Sequence, residues 1–558
     1  MKRIIKLILL LILSAATAFN CSEPSGQSGN NKKLQVLILS GRNNHNWKET
    51  TPVLKNIFEN SGLFEVEITN SPDTLTYKTI KEYDVIANNW NSWPEKDFRW
   101  EKEVEEGLLK FLQEGGGLVF FHASTTAFYN WPEFKKISTG AWVDDTWHGK
   151  IAPAKVFIEN HDHPITKGIA DFFILDELWL DAEKNEDFEV LGSAINEDAK
   201  EKGYSKQPAI LVSQYGKGRI FHMLPGHDAR AMRNSGFKTL IIRAAEWAAT
   251  SKVTYPVPDE LKVVSPDESN KYAWIKSDTT FALLKNDRVI WQYNFNNYYG
   301  KPYFHPVFVN RNRITCLSPD DHPWHNGQWF SWKFINGLNY WEYIRGTYKS
   351  EGITDIKNIE TIKNSDHSAR IVLNIEYHPP ASETVLKEKR IIKISPPQKD
   401  GRIWMDYDMT FEAIADEVLL DRTPIMGEPD GKSWGGYSGL SIRFNQDFME
   451  SIIISDQPLD SAATVVKGEW MYMGFKGTDG KQTGSLMISP KENQNESQAW
   501  YIIDNNNLPF YYFSPAYIFY NPVTLKKGEK INLKYRVLHF EGEITRENLE
   551  AEAAAFSS

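Results

Sequence analysis

The chain has 558 residues, of which 41% are apolar and 24% are charged, as in a globular protein rather than a disordered one. This length exceeds one ordinary domain, so we expect two or three. The net charge of −10 argues against a nucleic-acid partner, and two cysteines cannot form a disulfide framework.

The first 32 residues have the pattern of an export segment. Lys2, Arg3 and Lys6 precede a short apolar run, and small residues lead to Cys21. This order resembles a bacterial lipoprotein, which implies a signal peptide over 1–21, lipidation at Cys21 and a flexible tether over 22–32. We therefore predict an exported lipoprotein anchored in the outer membrane, facing the periplasm or the cell surface, with no other membrane contact. Cleavage after Ala18 would instead give a soluble periplasmic protein, and this alternative stays open.

Residues 33–252 alternate between strand and helix patterns. Buried-strand patterns cover residues 34–40, 64–69, 84–87, 118–122, 210–213 and 218–223, and helical patterns cover 49–60, 100–113 and 237–249. Such alternation predicts an open α/β sheet with helices on both faces.

Polar side chains follow several of these predicted strands. In open α/β sheets the ligand crevice lies at the carboxyl ends of the strands. We therefore predict a polar pocket there, with four substrate-binding residues: His122, His148, His227 and Asp228. His45 follows the first strand, and Asp176-Glu177 lies between the later ones. A divalent metal of unknown identity is left open, and no nucleotide cofactor is expected.

Five motifs in this half carry a family resemblance. SGRNNHNW, GGGLVFFHAS, HPITKGI, DELW and GKGRIFHMLPGHD resemble, in order, the motifs of the ThuA-like family, named for trehalose utilisation. The resemblance implies a flavodoxin-like or class I glutamine-amidotransferase-like parallel sheet, and a role in the metabolism of sugars, including oxidised (keto) sugars. No cysteine follows the strand that ends at His122, which excludes the thioester chemistry of amidotransferases.

A stretch rich in proline and aspartate separates the two halves. It runs from 255 to 267, and we predict a linker over 253–272. Short alternating runs then recur at 280–284, 289–295, 369–378, 387–394, 403–411, 438–444, 484–488 and 530–540. Many short strands separated by turns predict an antiparallel β-sandwich over 273–552, so the chain is a multidomain α/β + β protein.

The second half also carries a resemblance. KPYFHPV, DDHPWHNGQWFSW, NGLNYW, LKEKR, WGGYSGLSIRF and KYRVLHFEG resemble the PmoA-like family of β-rich domains. The resemblance implies a supersandwich similar to galactose mutarotase, a fold common among carbohydrate-active enzymes. It implies no monooxygenase role.

The stretch from Pro302 to Trp341 concentrates histidine and tryptophan. Imidazole serves as acid, base or metal ligand, and indole offers a flat apolar face to a sugar ring. We predict catalytic roles for His305, His322 or His325 as base, Tyr303 as acid and Arg443 as carboxylate clamp. We predict substrate contacts from Trp324, Glu388 and Arg390. His322 and His325 could equally be metal ligands with Asp321.

These groups favour a lyase or dehydratase in polysaccharide degradation, which eliminates across a uronic-acid sugar of an oligosaccharide substrate. This hypothesis requires folding to gather His305, His322 and His325 around one hollow. Two alternatives stay open: a hydrolase or isomerase of keto-sugar glycosides acting through the ThuA-like half, and a non-catalytic carbohydrate-binding lipoprotein.

Overall fold

The computed structural model describes residues 32–138, 140–183, 187–263, 271–298, 300–345, 347–458, 465–493 and 499–557. The predicted signal peptide, Cys21 and nearly all of the predicted tether lie outside these ranges. Among the helices within them, none combines the length and apolarity needed to span a bilayer.

The first half alternates strands and helices, and its predicted elements are confirmed within a few residues at each end. Its strands are β1 (Leu34–Leu39), β2 (Phe64–Thr69), β3 (Val85–Asn88), β4 (Gly117–Phe121), β5 (Trp147–His148), β6 (Ala152–Ile158), β7 (Phe172–Asp176), β8 (Trp179–Leu180), β9 (Glu189–Asn196), β10 (Gln207–Tyr215) and β11 (Gly218–Met223). Its helices are α1 (Trp47–Asn60), α2 (Tyr77–Ile80), α3 (Lys102–Gln113), α4 (Pro132–Ile137), α5 (Glu197–Glu201), α6 (Ala229–Arg233) and α7 (Ser235–Thr250).

Nine of these strands form one mixed sheet in the order β2-β1-β3-β4-β11-β10-β9-β6-β7. The first five are parallel, as predicted, whereas β10, β9, β6 and β7 are added antiparallel. The predicted parallel sheet is confirmed for these five strands, and the complete sheet is mixed. The change of direction starts at the hairpin between β10 and β11, where Tyr215 pairs with Gly218 and leaves no room for a crossover helix.

Helices cover both faces of the parallel part. Val36 and Ile38 of β1 share a core with α1 and α7, whereas Leu37 and Leu39 pack with α3 on the other face. Successive side chains of a strand point to opposite faces, so an apolar run without alternation requires cover on both sides.

The second half is almost entirely strand. Its strands are β12 (Tyr272–Lys276), β13 (Thr280–Lys285), β14 (Arg288–Asn294), β15 (Tyr303–Val309), β16 (Asn312–Arg313), β17 (Gln328–Ser331), β18 (Phe334–Ile335), β19 (Leu338–Asn339), β20 (Ile353–Lys363), β21 (Ala369–His378), β22 (Leu386–Ile394), β23 (Ile403–Ala413), β24 (Glu417–Asp421), β25 (Gly439–Arg443), β26 (Met449–Ser455), β27 (Val465–Val466), β28 (Trp470–Lys476), β29 (Gln482–Ile488), β30 (Ala499–Asn505), β31 (Phe510–Ala516), β32 (Val523–Lys526) and β33 (Lys530–Glu541). One helix, α8 (Arg546–Ser557), follows them.

Antiparallel pairing builds three sheets from these strands. The largest runs β12-β13-β14-β15-β17-β25-β31-β30-β27, with β16 paired to β15, the second runs β20-β21-β22-β23-β33-β29-β28-β26, and the smallest runs β19-β18-β24-β32. Trp291 and Phe304 of the first share one core with Tyr377 and Tyr407 of the second. The β-rich antiparallel prediction is confirmed, and the supersandwich type stays a prediction.

The start of the predicted linker packs on the first half. Glu246 of α7 accepts a hydrogen bond from the Thr254 amide at 2.8 Å, and the Ala170 amide donates to the Leu261 carbonyl at 2.7 Å. Glu260 of the same segment then pairs with Arg313 of the second half at 3.1 Å. The segment therefore joins the two halves through specific contacts.

Candidate functional site

Three histidines follow three parallel strands at one edge of the first sheet. His45 lies after β1, His122 directly after β4 and His227 shortly after β11. Because the carboxyl ends of parallel strands meet at the same edge, the three imidazoles converge.

Glu177 lies at the same edge as the three histidines, although β7, the strand before it, is the last in the sheet order. It follows β7, and the four antiparallel pairings from β11 to β7 restore the original direction, so both strands end at one edge. The neighbouring Asp176 carboxylate accepts the Gly226 amide at 2.6 Å and the His227 amide at 3.2 Å. These bonds hold Glu177 Oε2 3.3 Å from His227 Nδ1.

His45, His122, Glu177 and His227 together form what we call the His/Glu cluster. One ligand atom from each residue lies within 4.8 Å of the corresponding atoms of the other three. The ring centroids of His45 and His122 are 4.7 Å apart, those of His45 and His227 are 4.6 Å apart, and those of His122 and His227 are 5.1 Å apart.

His122 presents an unprotonated nitrogen to this cluster. Its Nδ1 donates to the Leu224 carbonyl at 2.9 Å, which leaves the lone pair on Nε2. Nε2 is buried and has no hydrogen-bond partner within the described part of the chain. Burial, together with His45 and His227, holds the pKa of His122 well below its usual value, so the ring is neutral at pH 7. The residue adopts a φ of 43°, a left-handed conformation that costs energy outside glycine.

His45 has the same electronic form. Its Nδ1 lies 3.2 Å from Asn43 Oδ1, an acceptor, so Nε2 carries its lone pair. Burial lowers the pKa of His45 to about 4, with further contributions from His227 and His148. Neutral imidazole is the form that binds a metal ion.

The His/Glu cluster therefore fits one divalent metal ion. Three imidazole nitrogens and one carboxylate oxygen suit Zn²⁺ and several first-row transition metals. In both His45 and His122 the ring nitrogen that faces away from the cluster is Nδ1. It bonds the Asn43 amide oxygen in His45 and the Leu224 carbonyl in His122, and bonds of this kind fix the orientation of histidine ligands in metal sites. His227 Nδ1 is likewise buried without a hydrogen-bond partner in the described ranges.

A cavity of about 180 Å³ opens beside the cluster. Trp93, Trp142 and Trp179 form much of its wall, and Trp179 Nε1 donates to Glu177 Oε1 at 2.9 Å. His148 also lines the cavity, with its side chain 40% exposed and its Nδ1 3.4 Å from Glu177 Oε2. The cavity thus combines flat apolar walls with an accessible imidazole.

The sequence identified part of this site. His122 and His227 lie in the cluster, and His148 lies at the cavity. Asp228 does not line it, because its carboxylate caps α6 by accepting the Ala231 amide at 2.8 Å. His45 and Glu177 were missing from the predicted residues, although each lies just after a strand, the feature that could have identified them.

The second half places two of its predicted histidines together. The His322 and His325 rings stack with centroids 4.7 Å apart, and both line a cavity of about 520 Å³ with Trp324. His325 is 5% exposed, and burial holds its pKa well below the usual range.

His305 does not join them. It lines a different cavity, of about 390 Å³, at the junction of the two halves, and its Nδ1 lies 2.9 Å from Thr315 Oγ1. Burial lowers its pKa to about 3. The expectation that all three imidazoles share one hollow is wrong, because the loop between β16 and β17 lines both cavities: Pro319 and Asp320 face that of His305, and His322 faces the other.

Tyr303 and Arg443, predicted as acid and carboxylate clamp, also lie outside the lining of the 520 Å³ cavity. Tyr303 packs on the aromatic cluster around Trp329 and does not line the 520 Å³ cavity. Arg443 is completely buried, donates to Asp321 at 2.7 Å and lies 3.7 Å above the Phe510 ring. Its charge is already compensated inside the protein, so the predicted clamp role is not supported.

Glu388 and Arg390 are structural rather than substrate-binding. They form a fully buried ion pair at 2.5 Å, and Glu388 also accepts the Tyr377 hydroxyl at 2.5 Å. The predicted substrate contact is wrong because alternate residues of β22 point into the core between the sheets.

Comparisons with known families find one match on each side of the predicted linker. Residues 35–248 match the ThuA family, described as trehalose utilisation. Residues 280–554 match DUF6807, a family of unknown function. No curated protein matches the chain.

Solved structures with similarity to this chain include two ThuA-like proteins. One, from Parabacteroides merdae, is 29% identical and covers 41% of this chain and 95% of its own, with a TM-score of 0.37. One from Bacteroides uniformis is 22% identical and covers 42% of this chain and 99% of its own, with a TM-score of 0.33. A cold-adapted β-galactosidase from Rahnella sp. R3 is 14% identical and covers 48% of this chain and 36% of its own, with a TM-score of 0.28.

Proposed function

Because residues 35–248 form a ThuA-like domain and the C-terminal region is a DUF6807 domain, we propose that this chain is a carbohydrate-active enzyme that works through the His/Glu cluster. The observation that carries the proposal is the convergence of four ligand atoms within 4.8 Å of one another. The reaction we propose is the hydrolysis or isomerisation of a keto-sugar glycoside.

The cavity beside the cluster suits a sugar. Indole faces pack against the C–H face of a sugar ring, and Trp93, Trp142 and Trp179 offer three of them. The family described as trehalose utilisation supports a sugar substrate. The resemblance to ThuA-like proteins adds the oxidised sugars, whose carbonyl oxygen is a ligand for a metal centre.

A divalent ion in the cluster would act as a Lewis acid on the substrate carbonyl. The carbonyl makes the C–H of the neighbouring carbon acidic, and removal of that proton begins both proposed reactions. In isomerisation the proton returns at another position. In cleavage the C–O bond to the aglycone breaks, the aglycone oxygen takes up a proton from solvent, and water adds to the double bond that remains. His148 is the base we propose. Its Nδ1 donates to the Gly149 carbonyl at 2.9 Å and lies 3.4 Å from Glu177 Oε2, which leaves Nε2 to accept the proton.

Elimination on an acidic sugar in the second half has less support. That hypothesis needs a free cation for the carboxylate and a base, an acid and a clamp around one cavity. His305 and Tyr303 do not line the cavity of His322, and Asp321 already occupies Arg443.

The test is metal analysis followed by activity measurement. We expect the purified full chain to hold about one divalent ion, and to convert 3-keto-trehalose or a 3-keto-glucoside but not the unoxidised sugar, as followed by NMR. His148→Ala should keep the metal and lose turnover. Protein that binds no divalent ion, or turnover that survives in His148→Ala, would contradict the proposal.

Export as a lipoprotein remains part of the proposed function, since an exported location suits an enzyme of oligosaccharide breakdown. Radiolabelled palmitate should be incorporated by the wild type and not by Cys21→Ala. Equal incorporation by the two proteins, or none by either, would remove the lipid anchor from the proposal.

A further inference from the structure

The cavity of about 520 Å³ in the second half shares no lining residue with the cavity beside the His/Glu cluster. Aromatic rings form most of its wall. Trp341 and Tyr437 lie with their centroids 5.2 Å apart, and Tyr437 and Tyr501 are 5.9 Å apart. Trp341 is buried, whereas Trp434 at the rim is 52% exposed. The cavity therefore offers flat apolar surfaces both inside and at its mouth.

Most polar atoms around this cavity are already hydrogen-bonded within the protein. The Tyr437 hydroxyl donates to Glu342 at 2.5 Å. The Tyr512 hydroxyl bonds Ser441 at 2.8 Å, and the Tyr501 hydroxyl donates to the Trp434 carbonyl at 3.3 Å. These bonds hold the rings in place and leave few polar groups for a ligand.

His322 and His325 are the exceptions. Both line the cavity, and the Nδ1 atom of each is buried without a hydrogen-bond partner in the described part of the protein. Nδ1 of His325 is enclosed by the protein, so Nε2, on the other edge of the ring, is the nitrogen left to meet a ligand in the cavity. A ligand hydroxyl can hydrogen-bond this nitrogen, whereas a purely apolar ligand would leave it unpaired.

The charges nearby disfavour an anionic ligand. Arg443 is held by Asp321 at 2.7 Å, and Lys333 pairs with Glu342. Lys301 is buried and donates to the Trp341 carbonyl. None of these three cations is among the residues that line the cavity, whereas Glu342 is, so a ligand carboxylate would meet no cation there.

We propose that this cavity binds a neutral pyranose ring, with its C–H face on the aromatic walls and a hydroxyl on His325. A pyranose combines apolar ring faces with a hydroxylated edge, which matches both features of the cavity. The site is a second carbohydrate-binding site of the chain, and it is independent of the reaction proposed for the His/Glu cluster.

The test is calorimetry of the full chain with four neutral disaccharides: trehalose, maltose, cellobiose and lactose. We expect at least one to bind, and Trp434→Ala to weaken its binding about tenfold or more. Trp434→Phe, which keeps a flat ring, should lose less. Because Trp434 is 52% exposed, its removal should leave folding intact.

Two controls separate this site from the His/Glu cluster. Met426→Ala removes a side chain that is 69% exposed on the same loop and does not line the cavity, and it should bind like the wild type. His45→Ala alters the cluster in the other half and should also bind normally, whether or not turnover is lost.

Three results would overturn the proposal: no binding of any of the four disaccharides at millimolar concentration, equal affinity in Trp434→Ala and the wild type, or binding of glucuronic acid or phenol in preference to all four. None of these results depends on turnover. Failure here is therefore distinguishable from failure of the proposed reaction.

Discussion

Two sets of buried polar groups, one in each half of this protein, differ in whether they are paired. In the first half, His122 Nε2 and His227 Nδ1 are buried without hydrogen-bond partners in the described ranges, and both point toward Glu177. In the second half, Arg443 is paired with Asp321, and Arg390 with Glu388. Buried polar atoms are nearly always paired, so converging unpaired ligand atoms indicate a site for a ligand, whereas paired charges indicate a structural role.

His122→Ala should have the largest effect and test the functional side of this contrast. If the cluster holds a metal ion as proposed, removal of one imidazole should lower bound metal and turnover about 100-fold or more, since mutation of residues that only support metal ligands already costs about 10–100-fold. Metal content and turnover on the proposed keto-sugar substrate are the measurements. His161→Ala, at an exposed histidine outside the cluster, is the matched control and should match the wild type in both. Full metal content in His122→Ala would show that the cluster is not a metal site.

Glu388→Ala tests whether the buried pair of Glu388 and Arg390 stabilises the fold. It leaves Arg390 as a fully buried, uncompensated charge, so the free energy of unfolding should fall by about 3–5 kcal/mol. Urea denaturation measures this loss. Glu550→Ala, which breaks the exposed pair with Arg546 at 3.1 Å, should change it by about 0.5 kcal/mol or less. A Glu388→Ala protein of wild-type stability that no longer binds disaccharide would restore the substrate role predicted from the sequence.

Asp228→Ala tests whether Asp228 only caps α6 or also belongs to the site of the first half. Loss of the bond to the Ala231 amide should cost about 1 kcal/mol of unfolding free energy, whereas Asp228→Asn, which can still cap, should stay near the wild type. Urea denaturation and metal analysis of both variants are the measurements. Loss of metal from Asp228→Asn would place this carboxylate in the site after all.

Asp321 gives the smallest expected effect, and it depends on pH. Burial raises the pKa of Asp321, but His322 and Arg443 outweigh burial and lower it to about 2. A carboxyl whose pKa is depressed on folding stabilises the protein above pH 4, and this contribution is lost as the pH falls toward 2. The side chain is 37% exposed, so solvent screening limits the contribution to about 1 kcal/mol or less.

Urea denaturation at pH 5, 4 and 3 measures this contribution. The stability difference between the wild type and Asp321→Asn should shrink as the pH falls. A difference that stays constant over this range would mean that the pair with Arg443 adds no pH-dependent stability.

The sequence located the elements of the first half well, because long apolar runs and amphipathic periodicity are local properties of strands and helices. It did not predict that β7 would join the sheet antiparallel, and without that topology Glu177 could not be assigned to the site. In the second half, the spacing of His322 and His325 correctly indicated that they lie together. The distance of His305 from them depends on how β15 pairs with its neighbours, and sequence spacing does not specify that pairing.

The amino-acid pattern alone predicts the division into an α/β half and a β-rich half, the strands whose ends carry His45, His122 and His227, and the concentration of aromatic rings near His325. Which polar groups serve a ligand and which serve the fold becomes visible in the folded chain. Buried charges pair with neighbours that are far away in the sequence, so Arg443 contacts Asp321 and His122 approaches Glu177 after the sheets have formed.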